Sequence, residues 1–224
     1  WVHYDIDLMK IEESKRNGGG LRMRNPSIFE RAKILTRQTA DRIIGTIDEN
    51  NYYYSNTLHG THIQNNAYDS RFVLAQLNSE LLNFYYKKTT NEGGKVFAQI
   101  KIELLRLMPI CFSTNQSPFI NIVRYIEILT SLNHLQFEFD YFKLLLDSIV
   151  YELYFENELK AWNPYNSEHL SDLKPINEDM SDEENLGIIQ SEYERLYQPD
   201  HPVRFAIETL DSIEEVRIIK EALK

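Results

Sequence analysis

Residues 28–54 read IFERAKILTRQTADRIIGTIDENNYYY. Branched and aromatic residues come here in short runs set off by polar and turn-forming residues, which is the pattern of short strands. Ile28 to Arg37 reads as a turn into a strand, and Arg42 to Ile47 as a second strand. Asp48 to Asn51 turns the chain back, and Tyr52 to Tyr54 reads as a third strand, so a meander is expected. The next stretch changes period. Residues 69–86, DSRFVLAQLNSELLNFYY, put Phe72, Val73, Leu74, Leu77, Leu81 and Leu82 at helical spacing behind a capping Asp69 or Ser70. Asn78-Ser79 interrupts that stripe and can cap a second short helix toward Tyr86.

Working outward, residues 1–16 alternate loosely and suggest a short strand, and Asn17-Gly18-Gly19-Gly20 demands a loop. Asn56 to Asn66 is a polar segment, Lys87 to Gly94 an exposed turn, and Val96 to Ile102 a strand. Leu107-Met108-Pro109-Ile110 closes this part, because proline continues neither ladder nor helix. Phe119 to about Phe155 predicts two helices broken near Leu132 to Phe137. Residues 160–180 read as loop with at most a turn of helix. Ser181-Asp182-Glu183-Glu184 and Ser212-Ile213-Glu214-Glu215 are capping-box patterns, and Pro202 suits a helical first turn. The expectation is an α+β fold: a mixed sheet with helices over residues 1–118, then an all-helical part over 119–224.

The net charge of -10 argues at first sight against nucleic acid. Its distribution does not. Residues 1–120 carry 15 Lys/Arg against 12 Asp/Glu, whereas residues 121–224 carry 9 against 22. A local basic face attracts backbone phosphates whatever the remainder carries. Arg22, Arg24, Lys33, Arg37 and Arg42 form one basic group, and Lys87, Lys88, Lys95 and Lys101 a second, with Arg106 beside it. Asn56, Thr57, His59, Asn65, Asn66 and Gln99 carry the donors and acceptors that match base edges. The bland reading of all these is a solvated surface.

Other chemistry is thinly supported. His59 and His62 are the only close histidines, and nothing near them completes a metal-ligand spacing. Cys111 is the single cysteine, which excludes an internal disulfide, and it reads as core. Asp5, Asp7, Glu13 and Lys15 can be read as a metal-dependent nuclease set, but the E-x-K triplet is common by chance. Asn163-Pro164-Tyr165 lacks the second proline of the Asn-Pro-Pro-Tyr motif of amino methyltransferases and reads as a turn. No catalytic or metal residue is assigned. No apolar run spans a membrane, and a cytoplasmic setting is the default expectation. Because the chain begins at Trp1, a piece of a longer protein is expected.

Four stretches carry a resemblance: Ile34-Leu35-Thr36-Arg37; Tyr53-Tyr54-Ser55-Asn56-Thr57-Leu58-His59-Gly60; Leu77-Asn78-Ser79-Glu80-Leu81-Leu82-Asn83-Phe84-Tyr85-Tyr86; and Gly93-Gly94-Lys95-Val96-Phe97-Ala98-Gln99-Ile100-Lys101 with Leu107-Met108-Pro109-Ile110 beyond it. In this order and spacing they resemble the C-terminal target-recognition (specificity) domain of TaqI-like and type IIG restriction-modification enzymes, over about residues 1–115 and more weakly through Val150 to Phe155. The resemblance implies a module that grips duplex DNA and selects the site, with loops Asn17–Arg24, Asn56–Asn66 and Lys87–Lys95 as readers. It implies a parent chain with an adenine-N6 methyltransferase domain using S-adenosylmethionine, and in many members a nuclease needing Mg2+. No cofactor is expected in this chain itself. The acidic helical part would face the methyltransferase, a partner or solvent; a docking or structural module without DNA binding is one alternative, and a small metal-dependent nuclease is the other.

Overall fold

The computed structural model describes residues 5–15, 24–90, 98–132, 135–155 and 168–224. Three strands, β1 (Lys33–Arg37), β2 (Gly45–Asp48) and β3 (Leu58–Thr61), form one sheet in the order β2-β1-β3, with both pairs antiparallel. The third strand is not the tyrosine run, and the sheet is not a meander. The Asp48 carboxylate accepts from the amides of Asn50 and Tyr52, at 3.0 and 2.9 Å, and Asn51 sits at a φ of 58°. These contacts turn the chain out of the sheet after β2. Tyr52 to Tyr54 then pass outside the ladders, and β3 joins the far edge of β1.

β1 is central, and the pleat divides its side chains between two faces. Ile34 and Thr36 share a face with Ile47, Gly45 and His59, their partners across the ladders. That face meets the first long helix, α2 (Ser70–Asn78): a Cβ on Gly45 would lie 3.0 Å from Leu74. Lys33 and Leu35 point to the other face, which Phe29, Tyr53 and Tyr54 cover. Phe29 stacks on Tyr53 with centroids 4.6 Å apart and meets Tyr54 edge-on. The Tyr54 hydroxyl lies so close over Gly60 that an added Cβ would be 1.9 Å away, so only glycine admits the ring there.

The predicted helix pair forms as α2 and α3 (Glu80–Thr89), with Asp69 capping the first and Ser79 the second. Residues 5–15 hold a helix where a strand was expected, α1 (Ile6–Ser14), capped by Asp5 through the Leu8 amide at 2.9 Å. A local cap decides this stretch, since no strand offers it a partner among the described residues. Of the strand expected over Val96–Ile102, residues 98–101 are extended but make one isolated bridge, Thr39 to Gln99, and the short α4 (Ile102–Leu105) begins at Ile102.

The helical part follows as α5 (Ser117–Thr130), α6 (Gln136–Tyr154), α7 (Asp182–Leu196), α8 (Pro202–Thr209) and α9 (Glu214–Leu223). The full capping box forms at Ser181 and Glu184. The one at Ser212 does not: its hydroxyl donates to the Thr209 carbonyl at 2.6 Å, and Ile213 starts α9 without a side-chain cap. α2 packs on α5, and α3 on α6 and α9. One apolar cluster runs from Ile34 through Phe72, Phe142 and Val150 to Ile219, so residues before and after 118 share it. No described helix is long and apolar enough to cross a membrane.

Candidate nucleic-acid interface

The register sorts the predicted site residues by which end of the sheet they reach. At the end where β1 finishes, Arg37 pairs with Leu58, and the Gln38 amide donates to the Thr57 carbonyl at 2.9 Å. The connection from β1 to β2 passes over this end carrying Arg42, and the Asn56-Thr57 turn enters β3 here. Segment 98–101 lies alongside. The Ala40 amide donates to Ala98 O at 3.1 Å and the Ile100 amide to Gln38 O at 2.7 Å. Ala98 and Ile100 are buried while Gln99 and Lys101 are exposed, so the segment turns its polar side chains outward. One rim thus gathers Arg37, Arg42, Asn56, Thr57, Gln99 and Lys101, all exposed. Arg37 and Arg42 form no ion pair with any described residue.

The opposite end treats its charges differently. Lys33, read from the sequence as a phosphate contact, is buried. Its ammonium lies 2.5 Å from the Asp48 carboxylate and donates to the Phe29 carbonyl at 2.7 Å. It holds the entry of β1 to the exit of β2 and offers no charge to solvent. Arg71 on α2 is occupied likewise: it is bidentate to Glu49, at 3.0 and 2.7 Å, and donates to Glu127 on α5 at 3.1 Å. Burial works against the Arg71 charge, but these two carboxylates more than reverse it and raise its pKa. Hydrogen bonding to Arg71 holds Glu49 below the usual carboxylate range, whereas burial pushes Glu127 above it.

The remaining predicted residues scatter. His59, expected to read bases, is half-buried on the face toward α2, and its Nε2 lies 2.9 Å from the Ile100 carbonyl. A carbonyl only accepts, so Nε2 carries the proton in this contact. Asn65 lies beyond the other end of β3, and its Oδ1 accepts from the Ala67 amide at 3.0 Å, closing a local turn; the exposed Asn66 follows it. Arg24 is exposed and close enough to Tyr54 for its charge to act on that hydroxyl. Lys87 and Lys88 end α3; Lys87 donates to the Ala222 carbonyl of α9 at 2.7 Å, and Lys88 sits over the Phe84 ring. Arg22, Lys95 and the glycine loops lie outside the described residues, as does Asn163-Pro164-Tyr165.

The nuclease set does not converge. Asp5 caps α1, Lys15 pairs with Glu12 at 2.8 Å, and Asp7 and Glu13, six residues apart, stand about 120° apart around the helix. His62 turns its ring to the Ile28 and Ala32 carbonyls, away from His59. No group of three or more His, Cys, Asp or Glu able to hold a metal occurs among the described residues. Cys111 is a partly covered free thiol whose pKa burial raises, and its backbone is held by Gln76 and Tyr154.

Two arginines without carboxylate partners among the described residues, beside outward polar side chains on a fixed backbone, are what a surface that reads a polyanion needs. Residues 3–110 match the TaqI-like C-terminal specificity domain. The match covers just under half of the chain, and it includes the whole sheet, α1 to α4 and every predicted contact residue. A specificity domain of this family carries DNA recognition rather than chemistry for its restriction-modification enzyme. No curated protein and no solved structure matches the chain.

The sequence reading missed three residues that build this rim. Asn78 Oδ1 accepts from the Gly45 amide at 2.8 Å, and its Nδ2 donates to Gly45 O at 2.9 Å. Buried Asn83 accepts from the Ile43 amide at 2.6 Å. Buried Tyr86 accepts from the Lys101 amide at 2.9 Å and donates to the Gln99 carbonyl at 3.3 Å. The signal was present: Asn83 stands within the apolar stripe of α3, where a buried amide has to find partners.

Proposed function

We propose that this chain is the sequence-reading module of a type IIG-like restriction-modification enzyme, and that the rim at the end of β1 is its contact with duplex DNA. Arg37, Arg42 and Lys101 on the rim, with Arg24 and Lys88 beyond it, neutralise phosphates and set the register. Asn56, Thr57 and Gln99 reach base edges, where amide side chains match adenine and a hydroxyl serves either role. Lys33, Lys87 and His59 are left out of this set because their polar groups are engaged within the fold, and Asn65 because it lies beyond the other end of β3. The methyltransferase that the module serves is a domain of the same parent chain.

The observation that carries this reading is the contrast at the sheet. Arg37 and Arg42 stand exposed without carboxylate partners among the described residues, while Lys33 and Arg71 at the other end are fully paired. The test is a selection on a randomised duplex library at low salt, followed by titration of the enriched duplex against salt. Five phosphate contacts give a slope of log affinity against log salt of roughly -4 to -5. An enriched motif with such a slope supports the proposal. Folded chain that shows no salt-sensitive duplex binding overturns it.

A further inference from the structure

The rim is made of two backbone segments that are not neighbours in sequence, and α3 touches both. Asn83 and Tyr86, three residues apart, share one side of that helix. Asn83 holds the Ile43 amide directly behind Arg42. Tyr86 holds segment 99–101 with a single hydroxyl, which accepts from the Lys101 amide and donates to the Gln99 carbonyl. His59 grips the Ile100 carbonyl between those two points. Every backbone group from Gln99 O to Lys101 N therefore has a partner, and none of the three side chains reaches solvent as a reader would: Asn83 and Tyr86 are buried and His59 is half-buried.

Segment 98–101 needs this grip. It makes one isolated bridge to Thr39 rather than a ladder, so the sheet alone does not fix its angle. A Gln99 side chain reads a base edge only where its backbone is held in a set direction, because bidentate pairing is geometrically exacting. A phosphate contact is tolerant, since a lysine reaches it from many positions.

Resting on the DNA-reading proposal above, we infer that Tyr86 and His59 are positioning residues for sequence discrimination, which fix Gln99 against the duplex without touching it. Removing the Tyr86 hydroxyl leaves the ring in the core and frees the backbone between Gln99 and Lys101. His59→Leu removes the second grip, and His59→Gln retains a donor toward Ile100 O.

The experiment measures the full chain and its Tyr86→Phe, His59→Leu, His59→Gln and Lys101→Ala variants on the selected duplex and on a scrambled one, at several salt concentrations. Tyr86→Phe is expected to lower the preference for the selected duplex by roughly tenfold, the discrimination of about one good base pairing. Its salt slope stays that of the parent, and binding to scrambled duplex falls far less. His59→Leu does the same and His59→Gln restores part of the preference. Lys101→Ala instead weakens both duplexes alike and flattens the slope. Equal losses on both duplexes for Tyr86→Phe, or no loss from folded variant, overturn the positioning role while leaving DNA reading intact. A parent chain without salt-sensitive binding overturns the reading itself. Should a variant fail to fold, hydrogen exchange on the unmodified chain decides: a Lys101 amide that exchanges as fast as an open loop refutes the Tyr86 grip.

Discussion

The two ends of the three-stranded sheet have similar numbers of basic residues and opposite arrangements of them. Where β1 begins, Lys33 is sealed against Asp48, and Arg71 is clamped between Glu49 and Glu127. Where β1 ends, Arg37 and Arg42 project with no carboxylate partner among the described residues. The first set joins β2, α2 and α5 into one body, and the second is the one we propose for DNA contact. A basic residue in a sequence is thus a candidate for either task, and pairing decides which. If that distinction is right, cutting pairs at the first end damages the fold, and cutting charges at the second damages only binding.

The largest effect belongs to the buried pair. Asp48→Ala strands the Lys33 ammonium, whose side chain is wholly covered, with two carbonyls and the Tyr54 ring but no carboxylate beside it among the described residues. Breaking one partner of such a pair costs about 3–5 kcal/mol. Urea unfolding should show a loss of that order, and the double variant Lys33→Met/Asp48→Asn should recover most of it. A loss below about 1 kcal/mol, the level of an exposed pair, would mean that this end is no different from the other.

Burial without pairing gives the second, smaller effect. Asp147 on α6 is buried. It accepts from the Glu80 amide at 2.7 Å and has no cation in contact among the described residues. Burial, and then the charge of Glu80, push its pKa from 3.8 up to about 7, against the weaker pull of Lys143 and Lys220. The sign is fixed by linkage. The folded state keeps this proton after the unfolded state has released it, so stability from this group falls as pH rises from about 4 through about 7. Between about pH 5.5 and 8 the loss is about 2 kcal/mol. Urea midpoints of the parent and Asp147→Asn chains, measured at both values, isolate the contribution of this one group from that of Glu127, which acts in the same direction, and Glu49, which opposes it. Parallel pH profiles for the two chains would count against an unpaired buried acid at this position.

How far the sequence revealed this division depends on the range of the interactions. β1, α2, α3, α5 and α6 follow from local period and caps, as do the Asp69, Ser79 and Ser181 caps themselves, since those signals lie within a few residues. The third strand was misplaced because Tyr52 to Tyr54 have strand propensity while Asp48, bonding the Asn50 and Tyr52 amides, pulls them out of the ladder. Lys33 looked like a phosphate contact because its partner stands fifteen residues away across a hairpin. His59 looked like a base reader because its face is set by register, and register cannot be read from a polar segment with one glycine. Arg37, Arg42, Gln99 and Lys101 were legible as candidates, but not as one rim. They meet because backbone bonds join segment 38–40 to segment 98–100 and because Asn83 and Tyr86 hold both segments to α3.

The smallest effect on the fold is the one that tests the other end. Arg37→Ala and Arg42→Ala remove exposed side chains, and substitutions at such sites change stability by about 0.5 kcal/mol or less. Urea unfolding of each should superimpose on the parent within that range. The same variants should reduce the salt slope of duplex binding by about 0.9 for each phosphate left without its cation, on every sequence alike. The two measurements together make the comparison strict. A variant that unfolds early assigns the arginine to the same structural class as Lys33. A variant that neither unfolds early nor changes the slope leaves the arginine as a solvated surface charge and removes it from the interface. Only an unchanged fold with a flatter slope keeps the two ends apart, and because Arg37 sits on β1 itself, four residues from Lys33, it would show one strand dividing its cations between core and ligand.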